Sequence, residues 1–199
     1  MILGGVTNQG RGQRPKADAD RELQIDLRAA FRWRSDRTDD QEMADPTGWW
    51  ADPIILSRLG PALAASFADQ RPTIVLGLQS RGSLLGALVA LHLQVGLVEI
   101  RKDPRPSTDS DRWLTTRTAP DYRDRHLELG VRRDHLNAGQ RALLVDDWIE
   151  TGGQARAART LVEAAGARWC GAAVIVDGLH NSRLRRDLHV RSLLNIRDL

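Results

Sequence analysis

A chain of 199 residues with 41% hydrophobic and 28% charged side chains can bury the core of one domain and is short for two. A mean hydropathy of −0.40, with no apolar run near the ~20 residues that span a bilayer, excludes a transmembrane helix, and nothing at the start of the chain is typical of a secretory signal. The net charge of only +3 and the single cysteine, Cys170, argue against a long nucleic-acid partner and a disulfide framework, so we expect a cytoplasmic protein.

The first part of the chain has little periodicity. Residues 1–20 combine glycines and a proline with polar side chains, which predicts a flexible arm ahead of a single domain over residues 21–199. A short helix is expected over Leu23–Phe31. A stronger amphipathic helix is expected over Asp52–Phe67, because its apolar side chains recur every four residues.

From residue 73 onward, predicted strands and helices alternate. The four apolar, strand-like runs are Thr73–Leu78, Leu97–Ile100, Ala142–Val145 and Ala172–Val176. The helical patterns between them are Ser83–Leu93 and Gly153–Ala165. Such alternation, with nearly continuous apolar strands, predicts an α/β fold with a parallel sheet covered on both faces.

One long segment breaks this alternation. Residues Asp103–Arg125 contain three prolines and many Asp, Ser, Thr and Arg side chains, with little periodicity. Long loops inside compact domains are usually functional. The segment is therefore predicted to be a flexible lid or a flap formed by an irregular hairpin.

The clearest chemical signal follows the third predicted strand. Asp146 and Asp147 come directly after the apolar run, and the turn Thr151-Gly152-Gly153 then begins a helix. Glycines let backbone N–H groups approach an anion, and a helix N-terminus favours negative charge, so a phosphate fits this turn. Two adjacent carboxylates suit the vicinal hydroxyls of a ribose, although an Asp pair that only caps a helix is the alternative.

This segment resembles the phosphoribosyl pyrophosphate motif of type I phosphoribosyltransferases. Val75–Gly86, Val95–Lys102, Asn137–Arg141 and Ser192–Leu194 are similar to adenine phosphoribosyltransferases, so the resemblance covers about Trp49–Leu194. It implies a central, mainly parallel sheet flanked by helices with a long hood, and a homodimer. It also implies Mg²⁺-dependent transfer of a phosphoribosyl group to a purine-type base, with release of diphosphate.

The resemblance also implies three groups of site residues. The ribose and the 5′-phosphate would be held by Asp146, Asp147, Glu150, Thr151, Gly152, Gly153 and Gln154. The diphosphate would face Gln79, Ser80, Arg81, Gly82, Arg101, Lys102 and Arg105, some of these cations reaching across a dimer interface. Mg²⁺ would be bound mainly through the substrate, with Asp146 and Asp147 as candidate protein ligands. For Arg101–Arg105 the alternative is a solvated surface.

Three residues are candidate catalytic groups. Arg81 and Lys102 would neutralise the leaving diphosphate electrostatically. Glu150 stands where adenine enzymes tend to have alanine and 6-oxopurine enzymes tend to have aspartate, and it would accept the proton of the purine nitrogen. The alternative for Glu150 is a glutamate that merely complements the helix dipole.

The identity of the base stays open in the sequence. Trp148 replaces a commonly aliphatic residue and either stacks on the base or packs in the core. Trp50-Ala51-Asp52 stands where adenine enzymes usually have Phe-Arg-Asp, so Trp50 and Asp52 are candidate pocket residues and the pocket arginine is missing. An adenine-like base is the leading expectation. A 6-oxopurine, a specialised heterocycle and a non-catalytic regulator that binds phosphoribosyl pyrophosphate are the alternatives.

Overall fold

The computed structural model describes residues 16–35, 42–104, 110–119 and 126–199. The helices in these ranges are α1 Lys16–Ala30, α2 Thr47–Ala51, α3 Pro53–Ala65, α4 Arg81–Leu93, α5 Gly153–Ala164 and α6 Ser182–Asp187. The strands are β1 Arg32–Arg34, β2 Met43–Asp45, β3 Ile74–Leu78, β4 Gly96–Lys102, β5 Trp113–Arg117, β6 Glu128–Arg132, β7 Arg141–Ile149, β8 Arg168–Asp177 and β9 Val190–Asn195. Of these helices, none is long and apolar enough to cross a membrane.

Seven of the described strands form one sheet in the order β5-β6-β4-β3-β7-β8-β9. The five neighbouring strands β4-β3-β7-β8-β9 are parallel to one another. Strand β6 is antiparallel to β4, and β5 is antiparallel to β6. The two short strands β1 and β2 form a separate antiparallel pair. This arrangement confirms the predicted α/β class with a mainly parallel central sheet flanked by helices.

The core lies on both faces of the sheet, as the apolar strands predict. Along β3, Ile74 and Leu76 pack into one hydrophobic cluster together with α5, while Val75 packs into the other. The second cluster includes buried side chains of α1, α3 and α4. Successive strand residues point to opposite faces, so a strand covered on both sides must be apolar throughout.

The predicted boundaries change in two places. Helix α1 begins at Lys16, so Lys16–Asp20 are helical rather than part of the N-terminal arm, and residues 1–15 lie outside the described ranges. Strand β7 continues to Ile149, because Asp146 pairs with Val174 and Trp148 with Val176 of β8. The acidic pair is therefore part of the strand instead of following it.

The predicted lid segment is only partly described. Residues 105–109 and 120–125 lie outside the described ranges. Within the segment, Trp113–Arg117 is strand β5, paired residue by residue with β6. The described part thus extends the sheet with antiparallel strands beside β4.

The sequence analysis did not predict β6 or β9 as strands.

Candidate active site

A cavity of about 280 Å³ lies at the carboxyl ends of β3, β4 and β7. Its lining contains eleven residues that the sequence analysis assigned to the site: Gln79, Ser80, Arg81, Lys102, Asp146, Asp147, Trp148, Glu150, Thr151, Gly152 and Gln154. Parallel strands end at the same edge of a sheet, which brings these separate segments together. Gly82, Gly153 and Arg101 do not line the cavity themselves, and Arg105 is outside the described residues.

The acidic pair on β7 is held in two different ways. Asp146 Oδ1 accepts a hydrogen bond from the Asp147 backbone N–H at 2.9 Å. The buried Asp147 carboxylate has its Oδ2 2.6 Å from Arg81 Nη1, but not in the direction that a hydrogen bond requires. Within the described residues this oxygen has an ion-pair contact and no hydrogen-bond donor, so it has a free acceptor position.

Burial perturbs the first of these carboxyls. Removal from water, and next the neighbouring charge of Asp147, raise the pKa of Asp146 to about 8. Lys102 acts in the opposite direction as a smaller cause. The site is thus arranged so that a cation or a hydroxyl donor would lower the cost of ionising Asp146.

The phosphate loop, residues 150–154, turns sharply between β7 and α5. Gly152 has φ +75°, in the left-handed region, and is the N-cap of α5. A β-carbon there would lie 2.8 Å from Leu184 Cδ2, so glycine is required by conformation and by space. Thr151 Oγ1 accepts from the Gly153 N–H at 3.4 Å, and the exposed Glu150 faces the cavity at the start of the loop.

The second loop of the site connects β3 to α4. The Gln79–Ser80 peptide bond is cis, and Gln79 Oε1 accepts from the Lys102 N–H at 3.0 Å, which joins this loop to the end of β4. A β-carbon on Gly82 would lie 2.9 Å from Asp146 Oδ1 and 2.8 Å from the Val145 carbonyl. Gly82 therefore lets the first turn of α4 approach the acidic pair, although the residue itself does not line the cavity.

The candidate cations separate into two positions. Arg81 and Lys102 line the cavity. Arg101 alternates with Lys102 along β4, is exposed, and lies 3.5 Å from Glu99 Oε2. Because strand neighbours point to opposite faces, Arg101 points away from the cavity of its own chain.

Aromatic residues form the wall beside Trp148. Phe31 stacks on Trp148 with ring centroids 6.2 Å apart, and Trp33 meets the same indole edge-on at 6.4 Å. The sequence analysis missed Phe31 and Trp33 in this role, because nothing but their aromatic character marks them and they lie more than a hundred residues before β7. Trp148 keeps a half-buried position that lines the cavity.

The other two candidate pocket residues, Trp50 and Asp52, lie outside this cavity. Asp52 Oδ1 accepts from the N–H groups of Ile54 and Ile55 at 2.8 and 3.1 Å and so caps α3. Trp50 packs edge-on against the buried Trp49, and neither Trp50 nor Asp52 lines the cavity. Asp52 immediately precedes α3, where a side-chain cap is favoured, and Trp50 lies in α2 next to Trp49.

Residues 53–198 match the phosphoribosyl transferase domain, and the chain belongs to that family. Adenine phosphoribosyltransferase from Streptomyces galbus is 38% identical over 133 residues, which cover 67% of this chain and 70% of the relative. The enzyme of the same name from a Nocardioides species is 41% identical over 140 residues, covering 67% and 71%.

A solved structure agrees with these relatives. The crystal structure of adenine phosphoribosyltransferase from Rhodothermus marinus has a TM-score of 0.75 to this chain at 30% sequence identity. The match covers 88% of this chain and 99% of that one. The resemblance drawn from the motifs is therefore confirmed at the level of fold and family.

Proposed function

We propose that this protein transfers the phosphoribosyl group of phosphoribosyl pyrophosphate to an adenine-like purine base, giving a nucleoside 5′-monophosphate and diphosphate. The observation that carries the proposal is the single cavity shared by the acidic pair, the phosphate loop and the Gln79–Gly82 loop. The three groups match the three parts of phosphoribosyl pyrophosphate: ribose hydroxyls, 5′-phosphate and diphosphate. The names of the relatives support adenine as the base.

Each group has a separate binding role in this proposal. Asp146 and Asp147 accept hydrogen bonds from the ribose hydroxyls, and the free position on Asp147 Oδ2 supports this role. Residues 150–154 hold the 5′-phosphate at the N-terminus of α5. The Gln79–Gly82 loop, together with Arg81 and Lys102, holds the diphosphate and stabilises the charge that it gains on leaving.

A divalent cation fits the same site. Mg²⁺ prefers oxygen ligands and keeps several waters, so one or two carboxylates plus substrate oxygens suffice to hold it. Asp146 and Asp147 would supply those carboxylates, and the Oδ2 of Asp147, which contacts Arg81 but accepts no hydrogen bond within the described residues, is the observation that favours this fit. When bound, Mg²⁺ supplies charge neutralisation for the diphosphate.

Glu150 handles the proton in this mechanism. The bond from C1′ to the diphosphate oxygen breaks, the bond from C1′ to the base nitrogen forms, and the nitrogen loses its proton. Glu150 is exposed, lines the cavity and lies on the strand side of the phosphate loop, so its carboxylate is placed to accept that proton. The base itself is placed against the Trp148 wall, where an aromatic face is available for stacking.

The test is turnover with a panel of bases. Diphosphate release is measured with Mg²⁺, phosphoribosyl pyrophosphate and, in turn, adenine, a 6-oxopurine and an imidazole carboxamide. We expect adenine to give the highest kcat/KM. The fastest release with a 6-oxopurine would reassign the base, and binding of phosphoribosyl pyrophosphate without turnover of any base would favour a regulator.

We also propose a homodimer. Leu84 and Leu91 on α4 are 61% and 77% exposed, and Leu97 on the neighbouring β4 is 39% exposed. These exposed leucines lie on two neighbouring elements, and the exposed Arg101, on the same strand as Leu97, points away from its own cavity. Light scattering should give twice the chain mass, and a Leu84→Glu/Leu91→Glu variant should give a monomer.

A cytoplasmic location is the last part of this proposal. Cys170, the only cysteine of the chain, is buried and unpaired, which suits a reducing compartment. Fractionation of cells that express the tagged protein tests this location directly.

A further inference from the structure

Asp177 is a buried carboxylate that the proposed reaction does not use. It ends β8 with 4% of its surface exposed, and its Oδ1 accepts from the Leu179 N–H at 2.8 Å. Arg185 on α6 donates to both of its oxygens, through Nε to Oδ2 and through Nη2 to Oδ1. The same guanidinium also donates to the Leu179 carbonyl. This pair therefore joins the turn after β8 to α6.

The phosphate loop packs against the turn and the helix that this pair joins, on the side away from the cavity. A β-carbon on Gly152 would lie 2.8 Å from Leu184 Cδ2 and 3.2 Å from Leu179 Cδ2. The Gly178 N–H also donates to the Ile149 carbonyl at 2.8 Å, which ties the same turn to the end of β7. The loop is thus packed against side chains whose backbone is fixed by Asp177 and Arg185.

We propose that Asp177 and Arg185 are positioning residues that hold the phosphate loop in its binding conformation. This inference rests on the proposed function, in which residues 150–154 bind the 5′-phosphate. Neither residue lines the cavity, so they act through Leu179 and Leu184 rather than by touching substrate. Removal of Arg185 leaves a buried carboxylate without its counter-charge, and the turn must move to bring water to it.

Such a movement should change substrate binding more than chemistry, because Leu179 and Leu184 pack behind Gly152, whereas Glu150 follows directly on Ile149, which is paired with β8. The 5′-phosphate is remote from the C1′ bond that breaks, so its contacts are similar in the ground state and the transition state. Loss of contacts of this kind raises KM and leaves kcat nearly unchanged. Diphosphate, which is held on the other side of the cavity, should bind as before.

The experiment compares Arg185→Met with Arg183→Met in the full-length enzyme. Arg183 lies on the same helix, but its side chain is 86% exposed, and its contact with Asp187 is long, at 4.0 Å. The Arg183 variant is therefore a matched control. We expect Arg185→Met to raise KM for phosphoribosyl pyrophosphate by about tenfold, with kcat nearly unchanged. In calorimetry, affinity for ribose 5-phosphate should fall by a similar factor, while affinity for inorganic diphosphate should stay at the control value.

A second pair of variants keeps the test independent of folding. Arg185→Lys and Asp177→Asn each keep part of the contact, and both should show smaller increases in the same KM. Equal KM and equal ribose 5-phosphate affinity in Arg185 and Arg183 variants, or a loss of kcat alone, would overturn the positioning role. Failure of the wild-type enzyme to bind ribose 5-phosphate would instead overturn the assignment of the phosphate loop itself, and this inference with it.

Discussion

The two sides of the cavity are built differently. The ribose and phosphate side is one continuous segment, in which β7 delivers the acidic pair and the phosphate loop follows within four residues. The proposed base side is formed by Trp148, which packs against Phe31 and Trp33 from a distant part of the chain. A function shared by a whole family can be carried by a local motif, whereas the choice of base depends on packing between segments that the motif does not include.

We expect the largest change in affinity from substitutions in the acidic pair on the ribose side. Asp146→Asn/Asp147→Asn removes both ionisable carboxyl groups, and with them the charge that each can carry when substrate is bound, while keeping the side-chain shapes. Charge-assisted hydrogen bonds contribute roughly 1.5–3 kcal/mol each, so binding of phosphoribosyl pyrophosphate should weaken by roughly 10²- to 10⁴-fold. Calorimetry measures the affinity and circular dichroism checks the fold. Wild-type affinity in a folded double variant would contradict the assignment, and loss of folding would favour a purely structural role for the pair.

Glu150 lies between the two sides, and its substitution separates chemistry from binding. Glu150→Gln keeps the shape of the loop and removes the basic group, so kcat should fall by about 10²-fold or more with little change in KM for phosphoribosyl pyrophosphate. Glu163→Gln on α5 is the matched control, because that exposed glutamate pairs with Arg159 outside the cavity. Full kcat in Glu150→Gln would make Glu150 a helix-start residue and leave Glu128 as the next carboxylate to test.

On the base side we expect a change in KM for the base rather than in kcat. Trp148→Leu removes the indole face, and because stacking on an aromatic side chain contributes about 1–3 kcal/mol, KM for the base should rise by about tenfold with KM for phosphoribosyl pyrophosphate unchanged. Trp50→Leu is the comparison variant, since Trp50 packs on Trp49 and does not line the cavity. Equal KM values for the base in the two variants would contradict the placement of the base against Trp148.

The last prediction concerns the stability of the free enzyme rather than its activity. In the folded chain the pKa of Asp146 is raised to about 8, from an ordinary value of 3.8. Between these values the folded state holds a proton that the unfolded state has released, so the free energy of unfolding falls as pH rises from about 5 to about 8. Urea denaturation in a chelating buffer should show this decline in the wild-type protein and a weaker one in Asp146→Asn.

A control for this pH dependence is available on the surface. Arg191 holds the pKa of Asp69 well below its usual range, so that carboxyl is ionised in both states above about pH 5. Asp69→Asn should therefore leave the slope between pH 5 and pH 8 unchanged. A slope in Asp146→Asn that matches the wild-type slope would show that another group causes the decline.

The sequence predicted the central strands and helices because their patterns are local. The apolar run at β3 and the four-residue period of α3 both appear in the structure, with shifts of one or two residues at the ends. Strands β6 and β9 were missed, because neither has a long apolar run: charged residues stand at both ends of the buried centre of β6, and β9 is mostly exposed or half-buried. Helix α1 proved longer than predicted, since its first turns are polar and lack an apolar period.

The class of fold, the family and the motif to which we assign the ribose and the 5′-phosphate could be predicted from the sequence, because all three depend on residues that are adjacent in the chain. Only the tertiary structure decided that Trp50 and Asp52 lie outside the cavity and that Phe31 and Trp33 support Trp148. It also decided that Asp177 and Arg185 lie behind the phosphate loop. Contacts between residues far apart in the chain depend on how the sheet and its helices pack, and no local pattern of residue types records that packing.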